Sequence, residues 1–221
     1  MTPFPDLGLE FDYLTRRRSF DELGELARAV YGGEPRPTHT DPALWRAFPR
    51  GYVGCWIEGR LRGCVQLWPL DGRRAGDFLV GARSENELTA DDLSTVCNSP
   101  RTVYYFSGLL MDPEWQGRGM AAHLFAESMA RWERDIPWRV PTRFAALATS
   151  DAGLRFIREF GMRLVRPGDE TADGFPLYAR SVSSQDELHE IVRAAQGAAD
   201  RKGRLLSRLP AEGNTGLAAS G

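Results

Sequence analysis

The chain has 221 residues, 42% hydrophobic and 26% charged, an ordinary globular mixture able to bury a core in one good-sized domain with chain to spare. Its 28 Lys and Arg against 30 Asp and Glu leave a formal charge of -2, which gives no support to a general binder of phosphate backbones. No apolar run approaches the ~20 residues that cross a bilayer. The opening MTPFPDLGLEFDYL lacks the basic-then-apolar order of a signal peptide, and Cys55, Cys64 and Cys97 are too scattered for a disulfide framework or a zinc site. The expectation is a cytoplasmic protein with buried free thiols, no metal and no membrane partner.

Along the chain, SFDELGELARAVYGG reads as a helix with Ser19 as its cap, Leu23, Leu26 and Val30 at helical spacing, and a stop at Gly32. Gly33 to His39 reads as a loop, and Thr40-Asp41-Pro42 opens a second short helix, PALWRAF. Two apolar runs, YVGCWIEG and LRGCVQLW, flank a turn at Glu58-Gly59-Arg60 and predict a hairpin. From Pro69 to Pro100 the pattern weakens. FLVG suits a short strand there, and LTADDLSTVC suits a helix capped by Thr89. The acids Asp77, Glu85 and Glu87 fall in this stretch, candidates to reach a substrate site but with solvated surface as their default.

VYYFSGLLM is then a strand, ended by Asp112-Pro113. MAAHLFAESMARWER is a helix burying Ala121, Leu124, Phe125, Ser128 and Trp132, with His123 on its outward face. RFAALAT is a strand, AGLRFIREF a helix stopped by Gly161, and MRLV and FPLYARSV are further strands. Alternation of strand and helix in this order argues a mixed α/β layer. Beyond Ser183 a helical stripe, Leu188, Val192 and Ala195, is interrupted by Gly197 and Gly203. That extension has three options: docking on the domain, pairing in a homodimer, or projecting. The expected organisation is a domain at 10–182, a helical extension at 183–209 and a disordered tail at 210–221.

The informative junction is Met111-Asp112-Pro113-Glu114-Trp115-Gln116-Gly117-Arg118-Gly119-Met120-Ala121. Two glycines turn the backbone tightly at the start of an amphipathic helix, where free N–H groups and the positive dipole end suit an anion such as a pyrophosphate. Gly-x-Gly alone far more often marks a plain strand-to-helix turn with Gly for shape. It lacks the Gly-Lys-Ser/Thr of a P-loop and the third glycine of a dinucleotide fingerprint.

In its wider order the junction resembles the acyl-CoA signature of the GNAT family of N-acetyltransferases. That signature is an apolar residue, x, Pro, two residues, then Gln or Arg-x-x-Gly-x-Gly or Ala, matched by Met111, Pro113, Gln116, Gly119 and Ala121. A second family element, an alanine-bearing helix ending in Gly before a large apolar residue, is matched from Asp151 to Met162. The resemblance implies an α/β (α+β) fold with a mixed central sheet, two strands splayed at their C-terminal ends, and flanking helices. It also implies acetyl-CoA, or another acyl-CoA, as co-substrate. Its pantetheine would pair with Leu109, Leu110 and Met111, its pyrophosphate would sit on the N–H groups of Gln116, Gly117, Arg118, Gly119, Met120 and Ala121, and Ser150 and Phe156 would flank the arm.

The sequence departs from the family where catalysis is concerned. The family's frequent Glu on the motif strand is Tyr105 here, its frequent acidic Tyr is Ile157, and its frequent Asn is Ser150. A Tyr with a pKa of ~10 is a poor base at neutral pH. The candidate catalytic residues are Tyr105 and Ser107, which alternate onto one face of their strand while Tyr104 faces the other way. The leading expectation is acetyl transfer from acetyl-CoA to a small-molecule or protein amine by direct attack in a ternary complex, with aminoacyl-tRNA less favoured. Arg16-Arg17-Arg18 is the local basic run that argues against dismissing tRNA. The alternative is a non-catalytic acyl-CoA-binding or protein-interaction module on the same fold.

Overall fold

A computed structural model describes residues 8–15, 17–33, 37–97 and 99–206. The tail expected to be disordered at 210–221 lies outside them, as do Arg16 and the side chains of Arg17 and Arg18. Strands β1 (Leu9–Tyr13), β2 (Tyr52–Ile57), β3 (Arg60–Asp71), β4 (Thr102–Met111), β5 (Thr142–Leu147), β6 (Arg163–Arg166) and β7 (Leu177–Val182) form one sheet in the order β1-β2-β3-β4-β5-β7-β6. Only β4 and β5 run parallel; the other neighbours are antiparallel.

Helices α1 (Arg17–Tyr31), α2 (Pro42–Ala47), α3 (Gly76–Leu79), α4 (Met120–Asp135), α5 (Asp151–Glu159) and α6 (Gln185–Leu206) cover the sheet. One apolar cluster joins Leu23, Leu26 and Leu44 to Trp68, Phe78 and Tyr105. The other joins Leu124, Phe125, Trp132, Ile157 and Leu188 to Tyr104 and Phe144. Alternate residues of β4 thus serve opposite layers, as a two-residue strand period requires.

The hairpin β2–β3 turns through Glu58 and Gly59, both at positive φ (51° and 72°), the pairing that keeps twisted strands in register. Other expectations need correction. Helix α1 starts at Arg17, so Ser19 lies in its first turn rather than capping it. FLVG is not a strand: Gly76–Leu79 is one helical turn whose Phe78 is buried against Tyr105. LTADDLSTVC is not a full helix either. It closes as a 3₁₀ turn at Ala90–Asp92, because Asp92 Oδ2 accepts the Thr89 N–H at 2.9 Å and Leu93 leaves to bridge Leu70.

The C-terminal helix runs unbroken through Gly197 and Gly203. Each glycine costs ~1 kcal/mol of helix propensity, and the burial of Leu188, Ile191, Val192 and Ala199 against the domain offsets that cost. Of the options for this segment, docking is what occurs: α6 packs along α4. That packing also reverses the expectation for His123, which is buried rather than outward. Burial drives its pKa down, against a smaller upward pull from Asp200 and Glu127.

Candidate functional site

Strand β4 pairs with β5 only over Val103–Phe106, opposite Arg143–Ala146. It remains paired with β3 to Met111, while β5 continues alongside β7, Leu147 opposite Leu177. The strands therefore part beyond Phe106. The cause is local: the β3–β4 register slips between Gln66 and Leu67, leaving Ser107 as an extra residue in β4. A bulge bends and twists its strand and is a recurrent way to end pairing beside a site. From Leu109 to Met111, the β4 edge toward the gap has no strand partner among the described residues.

The turn at the mouth of this gap is held rigidly. Asp112 Oδ1 accepts the Glu114 N–H at 3.0 Å, and Asp112 Oδ2 takes Arg62 Nη1 at 2.6 Å. Gln116 Nε2 donates to the Met111 carbonyl at 2.9 Å, and the Gln116 N–H goes to Pro113 O at 3.3 Å. That N–H is consumed by the turn itself, so Gln116 acts here as a clamp. Gly117 and Gly119 follow at φ 74° and 71°, conformations that favour glycine. Among the described residues, the N–H groups of Gly117, Arg118, Gly119, Met120 and Ala121 have no protein acceptor. Gly119 caps α4 without a side chain, and no acid occupies the first turn. Arg118 lies over the Trp115 ring at 5.3 Å, exposed beside those donors.

The far wall is aromatic. Phe156 is half-buried and meets Phe125 edge-on at 4.3 Å, with Phe106 and Phe160 packed beside them. Ser150 is exposed and caps α5, its Oγ accepting the Gly153 N–H at 3.1 Å. Ile157 faces the core.

The opposite face of β4 carries Tyr105, sealed between Trp68 and Phe78 at 1% exposure. Ser107 also lies on this face, its Oγ donating to Gln66 Oε1 at 2.9 Å. Tyr104 points the other way and donates to Cys97 O at 2.6 Å. The sequence reading passed over what accompanies Ser107. Gln66 is fully buried, and His39 and Glu85 are 3% and 1% exposed. Glu85 is therefore no surface acid: Asp173 Oδ2 accepts its N–H at 2.8 Å and tucks the turn inward. Asp77 and Glu87 are exposed. The same face continues over β5, β7 and β6 into a cleft of about 600 Å³ lined by Arg143, Arg163, Ala145, Ala179 and Leu177. Among the described residues neither Arg143 nor Arg163 has a carboxylate partner.

This architecture occurs in solved structures. The loading GNATL domain of CurA from Lyngbya majuscula matches 78% of this chain and 97% of its own, at 12% identity and TM-score 0.59. The fold is GNAT. A GNAT-like decarboxylase, GphF in complex with isobutyryl-CoA, matches 78% and 98% at 16% identity and TM-score 0.53. Arabidopsis thaliana Naa50, in complex with the bisubstrate analogue CoA-Ac-MVNAL, matches 80% and 100% at 9% identity and TM-score 0.51. No family sequence model matches the chain, and no curated protein matches it in sequence. Among the described residues, no helix is long and apolar enough to cross a membrane.

Proposed function

We propose that this GNAT-fold chain is an acyl-CoA-dependent N-acyltransferase that passes acetyl from acetyl-CoA to a primary amine while both are bound. One observation carries the reading: the N–H groups of Gly117 to Ala121 are unclaimed at the mouth of the gap between β4 and β5. A pyrophosphate accepts such bonds and gains from the positive end of α4. The pantetheine amides then pair with the free edge of Leu109, Leu110 and Met111, as an added strand does. The arrangement supports holding the thioester beside the bulge, with Ser150 and Phe156 along the arm. Naa50 bound to a CoA-peptide analogue supports the same co-substrate class.

The amine approaches over the opposite face. Direct attack needs no enzyme thiol, and burial pushes the Cys55 pKa up to about 12 and Cys64 higher still, so neither thiolate is accessible. The test is thiol release from acetyl-CoA with a panel of polyamines, amino acids and short peptides, alongside CoA binding by calorimetry. Amine-dependent release supports the reading.

A second reading, an acyl-CoA-binding module without transfer, is favoured by Tyr105 and Ile157 standing where the family's frequent Glu and Tyr would be, both buried. CoA binding with no release on any amine selects it. Malonyl-CoA belongs in the same panel, because GphF is a GNAT-like decarboxylase.

A further inference from the structure

On the face of the sheet away from α4, a chain of titratable side chains ends beside the β4 bulge. His39 comes from a 3₁₀ turn at Pro37–Thr40 and Glu85 from another at Glu85–Glu87. His39 Nε2 lies 3.5 Å from Glu85 Oε1, and His39 Nδ1 lies 3.0 Å from the Tyr31 hydroxyl. Tyr31 is the last residue of α1 and is 41% exposed, so the chain runs from a sealed carboxylate to an accessible phenol. The His39 ring also stands against the bulge: its Cε1 is 4.0 Å from where a Cβ on Gly108 would sit. Gln66 takes the His39 carbonyl through Nε2 at 3.0 Å and the Ser107 hydroxyl through Oε1, tying imidazole and bulge into one unit.

A His and a Glu buried together are a costly way to join two loops. Apolar side chains of similar size commonly do it as well or better, so stability alone is a weak reason for the pair. Two buried titratable groups in line with a part-exposed tyrosine, beside the bulge at which β4 and β5 part, are instead placed where protons can be moved. The 3.5 Å separation is long for a hydrogen bond, and such contacts often tighten only when substrate is bound.

We propose that Tyr31, held by His39 and Glu85, is the proton-transfer group of this site; the proposal rests on the acyltransfer reading and names its missing acid and base. Glu85 accepts the Nε2–H of His39, leaving Nδ1 to accept the Tyr31 O–H. As the amine nitrogen bonds to the thioester carbon, its proton passes to Tyr31 oxygen while the phenolic proton moves to Nδ1. The imidazolium formed faces the Glu85 carboxylate. When the C–S bond breaks, the proton returns through Tyr31 to the sulfur, giving amide and CoA thiol with no proton taken up or released overall. Hydroxyl, imidazole and orienting carboxylate are arranged as in a catalytic triad, but here the substrate amine is the nucleophile and the phenol only relays its proton. Tyr31 is the catalytic residue; His39 and Glu85 are positioning residues.

The test uses Tyr31→Phe and Glu85→Gln in the full chain, with acetyl-CoA and the best amine of the panel, benzylamine serving as the common probe. Tyr31→Phe is expected to bind CoA within twofold of wild type, melt at the same temperature and lose about 10²–10⁴ in kcat. Glu85→Gln is expected to lower kcat with KM for acetyl-CoA and amine unchanged, and Glu85→Asp to restore part of it; a purely structural role for Glu85 leaves kcat in place. Among the described residues, contacts to His39 come from Tyr31, Glu85 and Gln66, of which Gln66 does not titrate. Tyr31→Phe with kcat within tenfold of wild type, or an unreduced kcat in a folded Glu85→Gln, overturns the relay and leaves acyltransfer standing. Wild type inactive on every amine overturns both.

Discussion

Gly119→Glu and its neutral counterpart Gly119→Gln isolate the electrostatics of the anion grip. Gly119 caps α4 at φ 71°, so either side chain carries the same backbone strain, about 1 kcal/mol. Both also add similar bulk. The difference is one charge. A carboxylate ~5 Å from a phosphate oxygen, at an effective dielectric of ~20, meets a repulsion of about 3 kcal/mol per negative charge. Gln116, Gly117 and Arg118 are exposed, so solvent and salt reduce that to roughly half at physiological ionic strength. The Glu variant is therefore expected to bind CoA roughly 10 to 100 times more weakly than the Gln variant. Calorimetry at 50 mM salt reads the ratio, and repeating it at 0.5 M salt should shrink it. Thermal melts of the two variants should agree within a few degrees. Equal affinities for CoA, with both proteins folded, would refute the placement of a phosphate on this turn.

Phe144→Ala removes a fully buried ring that packs on Tyr104, Phe106, Trp138 and Phe160, and should cost about 3–5 kcal/mol in urea unfolding. Leu188→Asp, a charge forced into the fully buried contact between α6 and α4, should lower the melting temperature by more than any surface change on α6, as followed by circular dichroism. His123 has its pKa lowered by burial, so the unfolded chain binds the extra proton first; its contribution is present above the ordinary histidine pKa and is lost as pH falls. His123→Gln should accordingly flatten the decline in urea midpoint between pH 7.5 and 5.5. Gly108→Ala sets a methyl 3.3 Å from Gln66 Oε1 and 4.0 Å from His39 Cε1. Gln66 must give by a few tenths of an ångström while the imidazole, in ordinary contact, stays put, so kcat should fall by less than about tenfold and calorimetry should find CoA affinity little changed.

The turn Asp112 to Gly119 was legible because its residue types are dictated by backbone geometry. Proline ends a strand, and glycine tolerates the positive φ found at Gly117 and Gly119. Apolar periodicity likewise carried β4, α4, β5 and α5, whose buried residues lie close in sequence. The segment from Pro69 to Pro100 was opaque for the opposite reason. Its short turns are held by side chains such as Asp92 and, from a distant loop, Asp173, so no periodic signal exists to read. His123 was misjudged because α4 taken alone gives it the solvent side; the cover comes from α6. Tyr105 and Ser107 do share a face of β4, but sharing a face did not reveal that Tyr105 is walled in by Trp68 and Phe78 while Ser107 meets Gln66. The pairing of His39 with Glu85 joins two loops and has no sequence signature at all.

The extra residue at Ser107 links these parts physically. By spoiling the register with β3 it turns the end of β4 away from β5, which opens the gap and frees the strand edge above Phe106. The same irregularity brings Ser107 and Gly108 both onto Gln66, and through Gln66 onto His39. A regular strand would have sent one of those two residues to the other layer. On the proposed reading, the device that opens the gap for a thioester also seats the imidazole on the other face of the sheet. Were both proposals to hold, binding and proton transfer would be separate jobs: the N–H groups of Gly117 to Ala121 would hold the anion, and the bulge would stand between that grip and Tyr31, His39 and Glu85.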